Sequence, residues 1–304
     1  MQKINYYLNN PYQIFEVMRS HGLTNWLPDS IYLKILYKHY VGKKLDLKNP
    51  TTFNEKLQWL KLNQRNSILT TLVDKYEVKK YVSDLIGEEY IIPTLGVWDN
   101  FDDIEFKKLP NQFVLKCTHD SGGVVICKDK EKLDIEKAKR KLNRNLKKNY
   151  YYSSREWPYK NVKPRIIAEK YMESSNGEEL LDYKHMIFNG KHKCTFICSG
   201  RNTKEGLHVT FYDEEWKVMP FERHYPKESV PQCKPKSYNH MIELSEKLGY
   251  GFPFVRVDFY EMDGKPYFGE LTFFPGSGFE EFNPDIWDTK LGSWISLESN
   301  QLRR

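Results

Sequence analysis

Arg256, Asp258 and Glu270 stand where a single β-hairpin can bring them together. In VRVDFYEMDGKPYFGELTFF, two aromatic and β-branched runs, 255–260 and 266–273, flank the turn signal Asp263-Gly264. With a three-residue loop over 262–264 and Gly264 left-handed, Arg256 pairs with Glu270, and Asp258 lies one step along on the same face. Thr272 joins that face beyond Glu270. Two carboxylates about 5–8 Å apart across strands suit shared Mg²⁺ ions. The neighbouring arginine suits a phosphate. A two-residue turn would instead send Asp258 and Glu270 to opposite faces. The competing reading is an amphipathic hairpin with a salt-bridged outer face.

Other chemistry-bearing groups come earlier. Lys116, in the strand QFVLKC, points away from Leu115 and Cys117, and the loop THDSGG follows with Ser121, Gly122 and Gly123. Glycines let backbone amides approach a phosphate, and the lysine adds charge. An ordinary Gly-Gly hairpin explains the same residues, and no G-x-x-x-x-G-K-[ST] motif is present. In RIIAEKYM, the end of a buried strand can bond an adenine edge while Glu169 holds a ribose. Lys184 beside Asp182 reads equally as a surface ion pair, which is worth little. His119 and Asp120 are acid–base candidates, although a loop histidine is more often a capping group. Cys194 and Cys198 on a strand stand about 13 Å apart, too far to share a metal ion.

The elements that must position these groups are partly legible. Thr52 and Glu55 form a capping box. Val78, Tyr81, Val82 and Leu85 follow helical spacing up to Gly87. A short strand is expected at 90–92, closed by Pro93. Asp134 caps a helix burying Ile135, Ala138, Leu142 and Leu146, and seven of the twelve residues from 137 to 148 are Lys or Arg. Asn189-Gly190 marks a hairpin between 184–188 and 191–199. Ser237 caps a helix running to Leu248. Helices mixed with many hairpins argue α+β, not a doubly wound parallel sheet.

Composition bounds the function. The 304 residues include 21 Tyr and 17 Phe, too aromatic for a disordered chain. The net charge of +6 favours a polyanionic partner or an anionic membrane surface, and no nucleic-acid partner is expected. Five cysteines, an odd number, point to a reducing cytoplasm. The first residues lack a signal-peptide apolar core, and no apolar run nears the roughly 20 residues that span a bilayer. The expectation is a cytoplasmic protein, with at most peripheral contact at the inner face of the membrane.

The order of features (strand lysine and glycine loop, E-K-Y-M, mid-chain lysine, R-x-D, late E-x-T) resembles the ATP-grasp enzymes. The longer strings TFNEKLQWLKL, DKYEVKKYV, GEEYIIPTLGVW, LPNQFVLKCTHDSGG, PRIIAEKYM, LLDYKHMIFNGK, FVRVDFY and YFGELTFFPGSGF are similar to the teichuronopeptide-biosynthesis (TupA-like) branch, associated with surface polysaccharides. The resemblance runs from about Thr52 to Trp287.

It implies an α+β ATP-grasp fold whose two subdomains clasp ATP. A helical region (1–70) and a pre-ATP-grasp segment (71–110) come first. A small nucleotide-binding subdomain (111–172) and a large one (173–304) follow. ATP and Mg²⁺ are the implied cofactors. Lys116 and Lys184 would contact phosphates with the loop Ser121, Gly122 and Gly123. Glu169, Lys170, Tyr171 and Met172 would form the adenine hinge, and Arg256 would serve the γ-phosphate. Asp258 and Glu270 would bind Mg²⁺, with Thr272 where asparagine is usual. Asp120 stands where related loops carry glycine.

Arg201 is a candidate clamp for a substrate carboxylate. The implied reaction joins an amino acid or other amine to a uronic-acid-containing saccharide through an acyl phosphate. A sugar kinase remains open. A glycosyltransferase would need a D-x-D motif, which only Asp102-Asp103-Ile104-Glu105 approaches. A polyanion-binding protein would explain the basic helix but not the hairpin face.

Overall fold

The computed structural model describes residues 11–173, 180–200 and 206–297. The aromatic-rich N-terminal stretch forms α1 (Pro11–Ser20) and α2 (Asp29–Tyr40). Tyr32, Leu33, Leu36 and Tyr37 of α2 make a small core that Phe279 closes from far along the chain. At the start of α3 (Phe53–Asn63) the capping box is formed. The Thr52 hydroxyl accepts from the Glu55 amide at 3.2 Å, and the Glu55 carboxylate accepts from the amides of Thr51 and Thr52. Next come α4 (Ile68–Val73) and α5 (Val78–Ile86), the latter ended by Gly87. Val78 and Val82 are buried as their spacing predicts, whereas Leu85 is exposed.

The strand expected at 90–92 is displaced. Residues Glu88–Tyr90 form a 3₁₀ turn, Ile91 makes only an isolated bridge to Phe268, and β1 (Thr94–Trp98) starts after Pro93. Proline has no N–H for a ladder, so the strand begins beyond it.

β1 belongs to a four-stranded antiparallel sheet with β2 (Phe113–Cys117) and β3 (Val124–Cys127). After β3 come α6 (Ile135–Leu146), capped by Asp134, and the short α7 (Tyr151–Ser154). The strand β4 (Ile166–Lys170) completes the order β1-β4-β2-β3. α6 lays Ala138 and Leu142 against Phe113, Leu115, Cys117, Ile166 and Ala168. Period-two alternation therefore leaves Lys116 and Glu169 on the other face. Ile135, expected inside, is exposed.

The larger sheet contains β5 (Asp182–Phe188), β6 (Lys191–Ser199) and β7 (His208–Tyr212). β8 (Glu222–Arg223) and α8 (Tyr238–Gly249) precede its remaining strands, β9 (Phe254–Met262) and β10 (Lys265–Thr272). Its order is β10-β9-β5-β6-β7, all antiparallel. Asn189 and Gly190 turn between β5 and β6 with φ of 50° and 78°, the left-handed pair a tight hairpin demands. One face packs Val255, Val257 and Phe259 in a core with Met241, Leu244 and Leu248 of α8. Ser237 does not cap α8. Its amide and hydroxyl donate to the Glu261 carboxylate at 2.7 and 2.5 Å. β11 (Phe282–Asn283) pairs with β8, and α9 (Ile286–Ser293) packs on α3. No helix among the described residues is long and apolar enough to cross a membrane.

Candidate active site

The turn between β9 and β10 holds two residues, not three. Met262 pairs with Lys265, and Asp263 and Gly264 are both left-handed at φ 53° and 80°. Continued regularly, that register would put Glu270 opposite Val257, on the core face. A β-bulge at Gly269 shifts it by one residue, so Asp258 faces Glu270 and Arg256 faces Thr272. The expected loop and the Arg256–Glu270 pairing are thus both corrected, while the bulge returns all four side chains to one face. Gly269 suits this place. A Cβ there would lie 3.1 Å from the Asp258 carbonyl oxygen and 3.2 Å from the Tyr260 ring.

Across three adjacent strands, Lys184, Asp258 and Glu270 form one row, and Met186, Arg256 and Thr272 the next. Arg256 Nε and Nη2 donate to the two Asp258 oxygens, each at 2.7 Å, and Nη2 reaches Glu270 Oε1 at 2.8 Å. Lys184 Nζ donates to Asp258 Oδ2 at 2.6 Å and also to Asp182. The Thr272 hydroxyl donates to Glu270 Oε1 at 2.9 Å. Asp258 and Lys184 are buried, while the Glu270 side chain remains 39 % exposed. The competing reading of a solvated outer ion pair therefore fails for Lys184, Arg256 and Asp258.

Burial pushes the Glu270 carboxyl up, but Arg256, Lys75, Lys184 and the Thr272 hydroxyl outweigh it and hold the group at about 2. Water on the open side of Glu270 screens part of that pull. Burial likewise opposes the Lys184 charge, and Asp182 and Asp258 overcome it, so its pKa is raised. Tyr260 is held protonated by Asp182 first, then by burial, Glu270, Asp258 and Glu169. Glu169 belongs to the small sheet and Glu270 to the large one. Tyr260 therefore lies where the two polar faces meet.

On the small-sheet side, Glu169 is spanned by two lysines: Lys79 Nζ at 2.5 Å from Oε1 and Lys116 Nζ at 2.7 Å from Oε2. The glutamate expected to hold a ribose is thus already engaged. Lys79, on α5, is absent from the sequence reading, as are Lys75 and Asp182 as site groups. Both lysines lie in the string DKYEVKKYV, four residues apart, and that string was the available signal. Lys75 Nζ donates to the Asp120 carbonyl, and Asp120 Oδ1 accepts from the Gly123 amide at 3.0 Å. Asp120 therefore fastens the glycine loop from within. A Cβ on Gly123 would sit 2.6 Å from Cys117 Sγ, so only glycine fits there.

Ser121 and Gly122 are exposed at the loop tip. Lys170 ends β4, Tyr171 and Met172 follow it directly, and Lys128 lies over the Tyr171 ring. Arg201 lies outside the described residues. His119 is buried against the Asn145 and Lys148 carbonyl oxygens at the end of α6, a packing role. Asp102 pairs with Lys139 on the outer surface.

Among the described residues no three His, Cys, Asp or Glu side chains converge as a metal cage. Mg²⁺ does not require one, since it is commonly held by one or two carboxylates together with substrate phosphates. Asp258 and Glu270 supply that donor set. Asp182 Oδ1 is buried beside them with no hydrogen-bond partner among the described residues.

A family model described as TupA-like ATPgrasp matches residues 55–296, most of the chain. The chain belongs to the TupA-like ATP-grasp family. Its α+β ATP-grasp fold carries α1 and α2 ahead of the matched span. This is a family of ATP-grasp ligases that use ATP and Mg²⁺. Among solved structures, the D-alanine–D-alanine ligase from Bacillus anthracis complexed with ATP matches at 19 % identity and TM-score 0.38, over 68 % of this chain and 57 % of that one. The D-alanine–D-alanine ligase from Helicobacter pylori matches at 16 % identity and TM-score 0.42, over 81 % and 65 %. The ATP-grasp ligase PsnB complexed with minimal precursor matches at 8 % identity and TM-score 0.38, over 72 % and 59 %. The chain spans less than two thirds of each of these proteins. Among curated proteins, none matches.

Proposed function

We propose that this ATP-grasp protein is an ATP- and Mg²⁺-dependent carboxylate–amine ligase, joining an amino acid or other amine to a uronic acid of a surface polysaccharide precursor. The observation that carries the reading is the row Lys184–Asp258–Glu270 beside Arg256, together with a second cationic group, Lys116 of the small sheet and Lys79 of α5, held on Glu169, whose charge reaches Tyr260 along with those of Asp258 and Glu270. Cations on the two polar faces suit a polyphosphate lying between them, and 169–172 are assigned to the adenine. Glu169 keeps Lys79 and Lys116 together and aimed.

In the reaction, a carboxylate oxygen of the sugar acid attacks the γ-phosphorus and ADP leaves. The amine then attacks the acyl carbon, phosphate departs with the carboxyl oxygen it received, and the amine proton goes to solvent or phosphate. Asp258 and Glu270 would hold Mg²⁺, which would supply charge neutralisation at the phosphates. Arg256 and Lys184 hold charge against the phosphoryl oxygens, and Lys116 and Lys79 grip the α and β phosphates. Thr272 orients Glu270 through its hydroxyl. The loop with Ser121, Gly122 and Gly123 covers the phosphates and keeps water from the acyl phosphate. Arg201 is assigned to the carboxylate of the amine substrate. A cytoplasmic setting supplies ATP and keeps the cysteines reduced.

Hydroxylamine tests the intermediate. Protein with ATP, Mg²⁺ and a uronate acceptor should form the hydroxamate without any amino acid. A stable phosphorylated sugar in place of hydroxamate would replace the ligase reading with a kinase.

A further inference from the structure

A cavity of about 320 Å³ opens between the N-terminal helices and the 276–280 turn. Arg19 and Tyr40 form one wall, from α1 and α2, which precede the span matched by the family model. Tyr150, His224, Ser277, Phe279 and Glu280, all within that span, are among the residues that line the remainder. A larger cavity of about 460 Å³ lies between β3 and α6, and none of the residues of the cation–carboxylate rows lines it.

The smaller cavity reaches the catalytic face through two side chains. Tyr150 is pushed up to about 12 by the charge of Glu156, by burial and by Glu270, and Ser121 of the glycine loop acts against that rise. The Ser277 hydroxyl donates to Glu156 at 2.7 Å, and the Arg256 charge is felt at Glu156.

The cavity floor is a constrained turn. Gly276, Ser277 and Gly278 are all left-handed, at φ 57°, 53° and 63°. A left-handed serine persists only when its surroundings over-determine it. Here Gln58 and Lys61 of α3 donate to the Ser277 carbonyl at 3.1 and 2.8 Å, and Gln58 donates to the Gly278 carbonyl at 2.7 Å. Such backbone is kept where it shapes a ligand clamp more often than elsewhere.

The wall chemistry names the ligand class. Tyr40 and Phe279 stand 5.7 Å apart at 33°, two ring surfaces for C–H faces. Around them are a phenol, an imidazole, a guanidinium and a carboxylate for hydroxyl groups. Their charges are already paired: Arg19 with Glu16, His224 with Glu281, Glu280 with Arg223. A charge-balanced pocket with aromatic walls selects an uncharged, hydroxylated ring. Any carboxylate on that ring belongs outside it, toward Arg256.

We infer that this pocket holds the sugar ring of the carboxylate substrate against Tyr40 and Phe279, with the carboxylate directed past Tyr150 toward Arg256. The N-terminal helices are thus part of the substrate site. The ligase reading supplies the direction of the carboxylate; ring binding stands without it.

The test uses the full chain without nucleotide and the methyl glycosides of glucuronic, galacturonic and mannuronic acid, followed by ligand-observed NMR and calorimetry. At least one should bind, and Tyr40→Ala should weaken it roughly tenfold, the scale of one lost ring contact. ATP affinity should stay within a few fold. Tyr40 is half exposed, so its loss leaves the buried face of α2 in place, and Tyr40→Leu gives the same answer should the alanine variant not fold. Trp26→Ala, an exposed aromatic outside the pocket, should change nothing. No binding by any uronide, or equal weakening by Tyr40→Ala and Trp26→Ala, would overturn the proposal. Tyr40-dependent uronide binding without ATP-dependent product would keep the pocket and defeat the ligase reading. Turnover indifferent to Tyr40 would do the reverse.

Discussion

Lys79 and Glu270 serve the same triphosphate in different ways in this account, one by direct contact and one through Mg²⁺, so their loss should read out differently. Lys79→Ala removes a charge-assisted contact to phosphate, typically about 1.5–3 kcal/mol, and should raise the KM for ATP roughly ten- to a hundredfold. Glu270→Gln should leave ATP affinity nearly intact and abolish turnover, because the amide carries no charge for Mg²⁺. ADP release, with circular dichroism to check folding, separates the two. Equal KM effects in both variants would dissolve the division of labour. Lys116, Lys184, Arg256, Asp258 and Glu270 could be picked from sequence because each sits in a strand beside a turn signal. Lys79 is harder to place: it lies on a helix about ninety residues before Glu169, and a lysine on a helix looks like part of any solvated face.

At the scale of elements, the β9–β10 hairpin depends on one glycine. Asp263-Gly264 is a strong signal for a two-residue turn, and on its own that turn would have hidden Glu270 in the core. The sequence did carry the remedy, a glycine at 269 inside a strand, which commonly marks a bulge. Gly269→Ala places a methyl 3.1 Å from the Asp258 carbonyl oxygen and must shift β10 by a few tenths of an ångström. The cost to stability should be about 1 kcal/mol in urea titration. The cost to kcat should be roughly tenfold or more, since small displacements of catalytic groups are expensive. Wild-type kcat in this variant would mean that Glu270 does not need its present position. Capping at Thr52, the stop at Gly87 and the Asn189-Gly190 turn were legible because each is local chemistry. The strand at 90–92 was misplaced because apolar content outweighed the proline beside it.

Over the whole molecule, the mixture of helices and hairpins announced an α+β fold, and the long motif strings announced the family. The arrangement of two polar faces toward each other was not legible from pattern alone. It depends on non-local pairings, β4 between β1 and β2 and β9 between β10 and β5, that no local signal specifies. The same holds for the N-terminal helices. Their packing on residues near Phe279 joins opposite ends of the chain and builds a cavity that neither end contains.

The central claim is that the two faces transfer the γ-phosphoryl group to a carboxylate. Carboxylate substrate labelled with oxygen-18 tests it most directly, with released phosphate read by mass spectrometry in the presence of ATP, Mg²⁺ and amine. The account predicts phosphate carrying one labelled oxygen and an amide product retaining the other. Unlabelled phosphate, with both labelled oxygens still on the sugar, would contradict it.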